Sequence, residues 1–150
     1  MTAMDEEGTQ APGAPDLSHE IELRPEFCDV DPMDIVWHGN YLRYLEAARA
    51  ALLEKFDYGY VQMRESGYAW PIVDMRVKYV APASFGQRLV VRAQVVEWEN
   101  RLRIDYLIRD RESGRTLTKA CTIQVAVDTT TREMCFVCPP VLWERLGVSP

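Results

Sequence analysis

The hydrophobic period of this chain changes once, and that change limits the fold more than any other feature of the sequence. Between residues 42 and 56, apolar side chains recur at steps of three and four, which predicts one long helix. Its apolar stripe consists of Leu42, Leu45, Ala48, Leu52 and Phe56. From Trp70 onward, apolar and polar residues alternate, as is typical of strands. One long helix followed by a series of strands predicts an α+β domain, in which an antiparallel sheet packs on the helix.

Local signals predict where the elements begin and end. Residues 19–24 alternate and predict a strand ahead of the helix, and four or five strands are expected after it. Asn40 is the expected N-cap of the long helix. A short second helix is expected within residues 59–67, and the two prolines at 139–140 predict the start of a last helix.

The last long strand is predicted in residues 116–128, and its two sides differ in character. One side carries the largely apolar set Leu117, Cys121, Ile123, Val125 and Val127, and the other carries Thr118, Thr122 and Gln124. A short strand is expected to follow and to end at Cys138.

Size and charge exclude several classes of protein. A chain of 150 residues is most simply one domain. Its net charge of -6 argues against broad nucleic-acid binding and attachment to anionic membranes. No apolar run approaches the roughly 20 residues of a membrane helix. Residues 1–18 are acidic and rich in Ala, Gly and Pro, so we expect a disordered tail, a folded domain over residues 19–150, and a cytoplasmic location.

The four cysteines form no complete metal-binding pattern. Cys135 and Cys138 make a single C-x-x-C, whereas a structural zinc site needs four ligands. We therefore expect reduced, inert thiols and no metal, with a zinc or redox role as the alternative.

Three aspartates precede the long helix in the segment DVDPMDIVWHGNYLRYLEAAR, residues 29–49. They are Asp29, Asp31 and Asp34, and the segment also holds His38, one of the two histidines of the chain. An aspartate ahead of a helix is most often a cap or a partner of the helix dipole. The chain has no dinucleotide glycine fingerprint, no P-loop and no G-x-S-x-G motif that would suggest another chemistry.

This segment resembles the active-site segment of hot-dog-fold acyl-CoA thioesterases, of the 4-hydroxybenzoyl-CoA and Tol–Pal-associated type. The family pattern is roughly D-x-D-x-x-G-[IV]-V-[WY]-[HY]-x-x-Y-x-x-[YFW]-x-[ED]-x-[AS]-R, and the resemblance extends over residues 20–146. It implies a long helix wrapped by a curved antiparallel sheet of about five to six strands. It also implies homodimers that join their sheets edge to edge with shared active sites, and that often pair into homotetramers.

The resemblance implies that Asp31 and His38 carry the chemistry, without a cofactor or metal. Asp31 matches the catalytic carboxylate, which acts as nucleophile or general base on an acyl-CoA or acyl-carrier-protein thioester. The backbone N–H at His38 matches the oxyanion donor, because a helix start stabilises the charge that develops on the carbonyl oxygen. Gly39 is expected to leave room for the substrate.

Other residues of the pattern have two interpretations. Asp29 is expected to be structural. In another hot-dog branch the carboxylate comes from the helix, where Glu46 lies here; we expect Glu46 to pair with Arg49 or Arg43 instead. Trp70 lines the acyl pocket or packs in the core.

Two departures from the family pattern affect the site. Asp34 replaces the usual glycine, which we expect to alter the turn and to add negative charge near Asp31. A basic run that engages the CoA nucleotide is reduced to Arg101 after Glu99 and Asn100. We therefore expect a weak nucleotide contact through Arg101, with Arg88 or Arg92 as the alternative source of charge.

Two other functions fit the same fold. A hot-dog dehydratase or hydratase would use the imidazole of His38 as a base, and a binding module would hold an acyl group without reacting. A panel of acyl-CoAs separates the three, because it shows thiol release, hydration of a double bond, or neither.

Overall fold

The computed structural model describes residues 14–150, in which one long helix accompanies seven strands. The strands and helices are β1 (Ser18–Leu23), α1 (Tyr41–Lys55), α2 (Tyr60–Glu65), β2 (Tyr68–Ala69), β3 (Ile72–Tyr79), β4 (Leu89–Glu97), β5 (Leu102–Asp110), β6 (Thr116–Gln124), β7 (Val127–Asp128) and α3 (Pro140–Leu146). Two single 3₁₀ turns, Phe27–Asp29 and His38–Asn40, lie between β1 and α1. Most of the predicted tail falls outside the described residues, but Leu17 is buried and Ser18 already pairs in β1.

Five strands form one antiparallel sheet in the order β1-β4-β5-β6-β3. Strands β2 and β7 form a separate two-stranded sheet. Helix α1 packs against β1 and β4 and buries its apolar side in the core. The prediction of an α+β hot-dog fold, a long helix on an antiparallel sheet, is confirmed. β3 lies at one edge and pairs on one side only, with β6, among the strands that the structure describes.

The buried face of α1 is partly aromatic, which the period alone did not indicate. Leu45, Ala48 and Leu52 are buried as predicted, but Leu42 is 41% exposed. Tyr41 and Tyr44 are buried instead. The two phenols fit there because the hydroxyl of each meets a polar partner, as buried tyrosines require.

Asn40 lies at the expected N-cap position, immediately before α1, but its side chain does not cap the helix. Asn40 has helical backbone angles and makes no side-chain cap, because the 3₁₀ turn already begins at His38. Its side-chain amide instead donates to the backbone carbonyl of Asp29, at 2.8 Å. The asparagine therefore ties the helix start to the aspartate-rich segment.

Strand β6 turns its polar side towards the core. Thr118, Thr122 and Gln124 are almost fully buried. Thr122 shares a 2.8 Å hydrogen bond with the hydroxyl of Tyr106, and the Gln124 amide donates to the carbonyl of Trp70 at 2.9 Å. These tertiary partners satisfy the Thr122 hydroxyl and the Gln124 amide nitrogen, which would otherwise be costly to bury, whereas the Thr118 hydroxyl and the Gln124 amide oxygen meet no hydrogen-bond partner among the described residues.

The cysteines are all free thiols. Burial raises the pKa of the Cys138 thiol to about 11, so it stays protonated and unreactive at neutral pH. The short strand expected to end at Cys138 is reduced to a single bridge between Val127 and Met134. Within residues 14–150, no cluster of three or more His, Cys, Asp or Glu could hold a metal, and no helix is long and apolar enough to cross a membrane.

Candidate active site

The aspartate-rich segment folds into a tight turn in front of α1. The N–H of Asp31 donates to the carbonyl of Ile35 at 2.9 Å, and the N–H of Asp34 donates back to the carbonyl of Asp31 at 3.0 Å. Asp34 has φ +63°, in the left-handed region that glycine favours and that aspartate tolerates better than most residues. Asp34 thus keeps a turn that suits glycine, rather than forcing a different one.

Asp31 presents a partly free carboxylate beside the helix start. Its side chain is partly exposed, and its Oδ1 accepts the N–H of Met33 at 2.8 Å. Its other oxygen accepts no hydrogen bond from the described residues. Burial raises the pKa of Tyr41, and electrostatic interactions with Tyr79 and Asp31 add to that increase. The rings of Tyr41 and Tyr79 meet edge to face, with centroids 5.1 Å apart. A carboxylate with one free oxygen can attack a carbonyl or accept a proton from water.

The start of the helix offers an unused backbone donor. His38 is the first residue of the 3₁₀ turn, so its N–H has no acceptor within the helix, and it meets none elsewhere in residues 14–150. The hydroxyl of Tyr79 donates to the carbonyl of His38 at 2.6 Å and holds the turn against β3. The imidazole of His38 is exposed and lies against the ring of Trp37, with centroids 4.7 Å apart.

Asp29 anchors the turn to the helix. It is 2% exposed, and its carboxylate accepts the hydroxyl of Tyr44 at 2.7 Å, the N–H of Glu26 at 3.0 Å and the guanidinium of Arg43. Its carbonyl accepts the N–H of Trp37 at 2.9 Å. Buried and fully bonded, this carboxylate is structural.

Gly39 makes room for the neighbouring ring of Trp37. A Cβ at Gly39 would lie 2.2 Å from the Trp37 ring, far inside contact distance. Trp37 is 49% exposed, so its ring covers the helix start while facing solvent. Sequence reasoning missed this role of Trp37.

Trp70 packs in the core. It is 7% exposed, and its indole N–H donates to the hydroxyl of Tyr58 at 3.1 Å. The rings of Trp70 and Tyr58 meet edge to face, with centroids 6.2 Å apart. Of its two expected roles, the geometry favours packing.

Glu46 is engaged by other side chains. It accepts hydrogen bonds from Arg49 and from the hydroxyl of Tyr60. Arg49 is almost fully buried, whereas Arg43 pairs with Asp29. The structure therefore shows the pairing of Glu46 with Arg49, one of the two partners expected.

Arg101 lies at the opposite end of the sheet from Asp31. The register aligns Leu102 with Gln124 of β6, whereas Tyr79, beside the helix start, aligns with Thr118. Six strand residues separate these levels, about 20 Å. Arg101 also donates to Glu97 at 2.7 Å. Within one chain, the structure does not bring Arg101 and Asp31 together.

The site lies at an open surface in the single chain. Four cavities of about 340 to about 650 Å³ open on the described surface, and none of these four borders Asp31 or His38. The site lies instead beside Tyr79, at the end of the edge strand β3. Apolar side chains are exposed along and just after this strand: Ile72, Val73, Tyr79 and Val80.

Known proteins are similar to this chain over most of its length. The family described as Thioesterase-like superfamily matches residues 25–146. YneP of Bacillus subtilis (strain 168) is 29% identical over 109 residues, 73% of this chain and 78% of that protein. The 4-hydroxybenzoyl-CoA thioesterase of Pseudomonas sp. (strain CBS-3) is 30% identical over 84 residues, 54% of this chain and 60% of that protein.

A solved structure shows the same fold. Slr0204, a 1,4-dihydroxy-2-naphthoyl-CoA thioesterase from Synechocystis, matches with a TM-score of 0.77 and 23% identity, over 87% of this chain and 96% of that one. The family match includes the aspartate-rich turn, α1 and the whole sheet except β1. The chain therefore belongs to the thioesterase-like superfamily.

Proposed function

We propose that this protein hydrolyses an acyl-CoA or acyl-carrier-protein thioester to the free acid and thiol, with Asp31 and the N–H of His38 as its reacting groups. One observation supports the assignment: a free carboxylate oxygen and an unused helix-start N–H lie on two consecutive turns of one segment, which Asp29 anchors to α1. Relatives named as thioesterases support the reaction class.

The roles of the two groups follow from the negative charge that develops on the thioester carbonyl oxygen during hydrolysis. Attack on the thioester carbon turns the carbonyl oxygen into an oxyanion, which the N–H of His38 and the positive helix end stabilise. Asp31 either attacks the carbon itself, giving an anhydride that water then opens, or takes a proton from the attacking water. In both routes the carbon–sulfur bond breaks, the thiolate leaves and takes up a proton, and the acid is released.

The working unit in this proposal is a homodimer formed through β3. An unpaired edge with exposed apolar side chains readily pairs with another strand. Antiparallel pairing of two β3 strands would place the Ile72 end of one chain beside the Tyr79 end of the other. Arg101 of the partner subunit would then lie near Asp31, so a role for Arg101 in substrate binding requires the dimer.

The histidine-base alternative has less support from the geometry. Among the described residues no carboxylate lies within 4.0 Å of the His38 imidazole to orient it, and the ring stacks on Trp37 instead.

The test is turnover of an acyl-CoA panel by Asp31→Asn beside Asp34→Asn. Asparagine keeps the shape of both positions, and it tolerates the left-handed backbone of Asp34. We expect Asp31→Asn to lower kcat at least ~100-fold, and Asp34→Asn to stay within about fivefold, or 1 kcal/mol. Near-normal thiol release by folded Asp31→Asn would contradict the assignment. Hydration without thiol release would favour the lyase.

A further inference from the structure

The largest of the four cavities lies at the end of the sheet that faces the helix start. Its volume is about 650 Å³, within the range of small-molecule sites. It is bounded by the loop between β3 and β4 and by the turn between β5 and β6. Three arginines, Arg24, Arg88 and Arg115, and the ring of Phe85 border it.

These three arginines form no ion pair with a described residue. In the described chain none of them lies within 4.0 Å of a carboxylate, whereas the neighbouring Arg111 pairs with Glu22. The same cavity also holds two acids: Asp110, which accepts the Gln87 amide at 3.0 Å and the N–H of Ser113 at 2.8 Å, and Glu112, which is exposed on the turn. Three guanidinium groups and two carboxylates give the cavity lining a net charge of +1 in a chain that is acidic as a whole, so the cavity attracts an anion.

An aromatic surface lies beside the charges. Phe85 is 61% exposed, and Phe27 meets it edge to face with centroids 6.3 Å apart. Bases of nucleotides stack on such exposed rings, and arginine forks suit phosphate oxygens. The combination fits a nucleotide with several phosphates.

The cavity is within reach of Asp31. Asp31 is hydrogen-bonded to Ile35, and Ile35 forms a bridge with Ser84 on the cavity wall. Two successive backbone pairings of about 5.5 Å each put Asp31 and Ser84 about 11 Å apart. A pantetheine arm, as long as four or five extended residues, spans about 15 Å. No residue of β3 lines the cavity, although residues of the loop that follows β3 do, so strand pairing along β3 does not occupy it.

We infer that this cavity binds the nucleotide end of CoA, with adenine on Phe85 and the 3′-phosphate and pyrophosphate on Arg24, Arg88 and Arg115. The inference rests on the proposed function for the acyl end, but nucleotide binding is measurable without turnover. It replaces the expected contact through Arg101, whose charge is already matched by Glu97.

The direct test is calorimetric titration of the full chain with adenosine 3′,5′-bisphosphate. Arg88→Ala/Arg115→Ala should weaken binding at least about tenfold, or 1.4 kcal/mol, and Phe85→Leu should weaken it as well. Arg92→Ala is the matched control, because Arg92 lies on β4, four residues after Arg88, and does not border the cavity. Its affinity should equal that of the wild type. Circular dichroism confirms that each variant folds.

Kinetics separate this inference from the proposed function. The double variant should raise KM for an acyl-CoA and leave the matching acyl-pantetheine unchanged. The inference fails if wild type does not bind the bisphosphate, if the double variant binds it equally well, or if only Arg101→Ala weakens it. Bisphosphate binding without hydrolysis of any thioester would overturn the proposed function alone.

Discussion

Two carboxylates, two residues apart, have opposite surroundings. Asp29 is buried with both oxygens bonded, whereas Asp31 keeps one oxygen free at the surface. Removing a partner from a buried, hydrogen-bonded charge destabilises a protein strongly, but changing a half-exposed carboxylate costs little stability. We therefore assign stability to Asp29 and chemistry to Asp31.

In our proposal the backbone N–H of His38 takes part in the reaction and its imidazole does not. His38→Ala keeps the backbone N–H, so we expect kcat to fall less than about tenfold, against at least ~100-fold for Asp31→Asn. His19→Ala, which changes the only other histidine, is the control and should leave kcat unchanged. Equal losses in His38→Ala and Asp31→Asn would favour the imidazole as base.

Sequence alone predicted the Asp31 and His38 pair but not the residues that hold it. The two proposed reacting groups are seven positions apart, so a local motif contains both. Tyr79, which fixes the carbonyl of His38, is 41 residues away from it in sequence. Only the pairing of β3 in the sheet brings that hydroxyl to the helix start.

At the scale of one element, the helix start depends on the contact between Gly39 and Trp37. Gly39→Ala places a methyl group inside the Trp37 ring, and such overpacking costs about 1 kcal/mol or more. We expect a lower Tm and a lower kcat, because the ring must leave the helix start.

The double variant Trp37→Ala/Gly39→Ala tests that cause. Without the ring the added methyl group meets no clash, so the double variant should be no less stable than Trp37→Ala alone. Additive losses in thermal melts would show that Gly39 is needed for its backbone rather than for the ring.

The helices and strands were predictable because their hydrophobic periods are clear. The faces of α1 and β6 were harder to predict, for physical reasons. The hydrophobic period assigned Leu42 to the buried stripe of α1, but Tyr41 is buried instead, because its hydroxyl accepts the N–H of Ala83. Likewise, β6 alternates as predicted, yet Tyr106 and Trp70 supply partners that let its polar side face inward. Such partners come from distant segments and leave no local signal.

For the whole molecule, we expect a dimer that depends on β3. Ile72→Lys/Val73→Lys adds charge to the exposed edge, which opposes strand pairing. Light scattering should show a dimer for the wild type and a monomer for this variant, with loss of turnover because the site lies beside that edge.

The control for this variant is Val96→Lys, because Val96 is an exposed valine on β4, which is flanked by strands on both sides. It should remain dimeric and active. A wild-type monomer that turns over at assay concentration would refute the dimer.

The separation of Asp29 from Asp31 has a consequence for how such a chain evolves. Since Asp29 holds the turn, Asp31, the reacting acid of our proposal, can mutate without unfolding the protein, because changes that stay above the stability threshold are tolerated. A descendant can lose hydrolysis in one step and keep the fold, the dimer edge and the cavity. Acyl-binding proteins without activity are therefore within one substitution of this sequence.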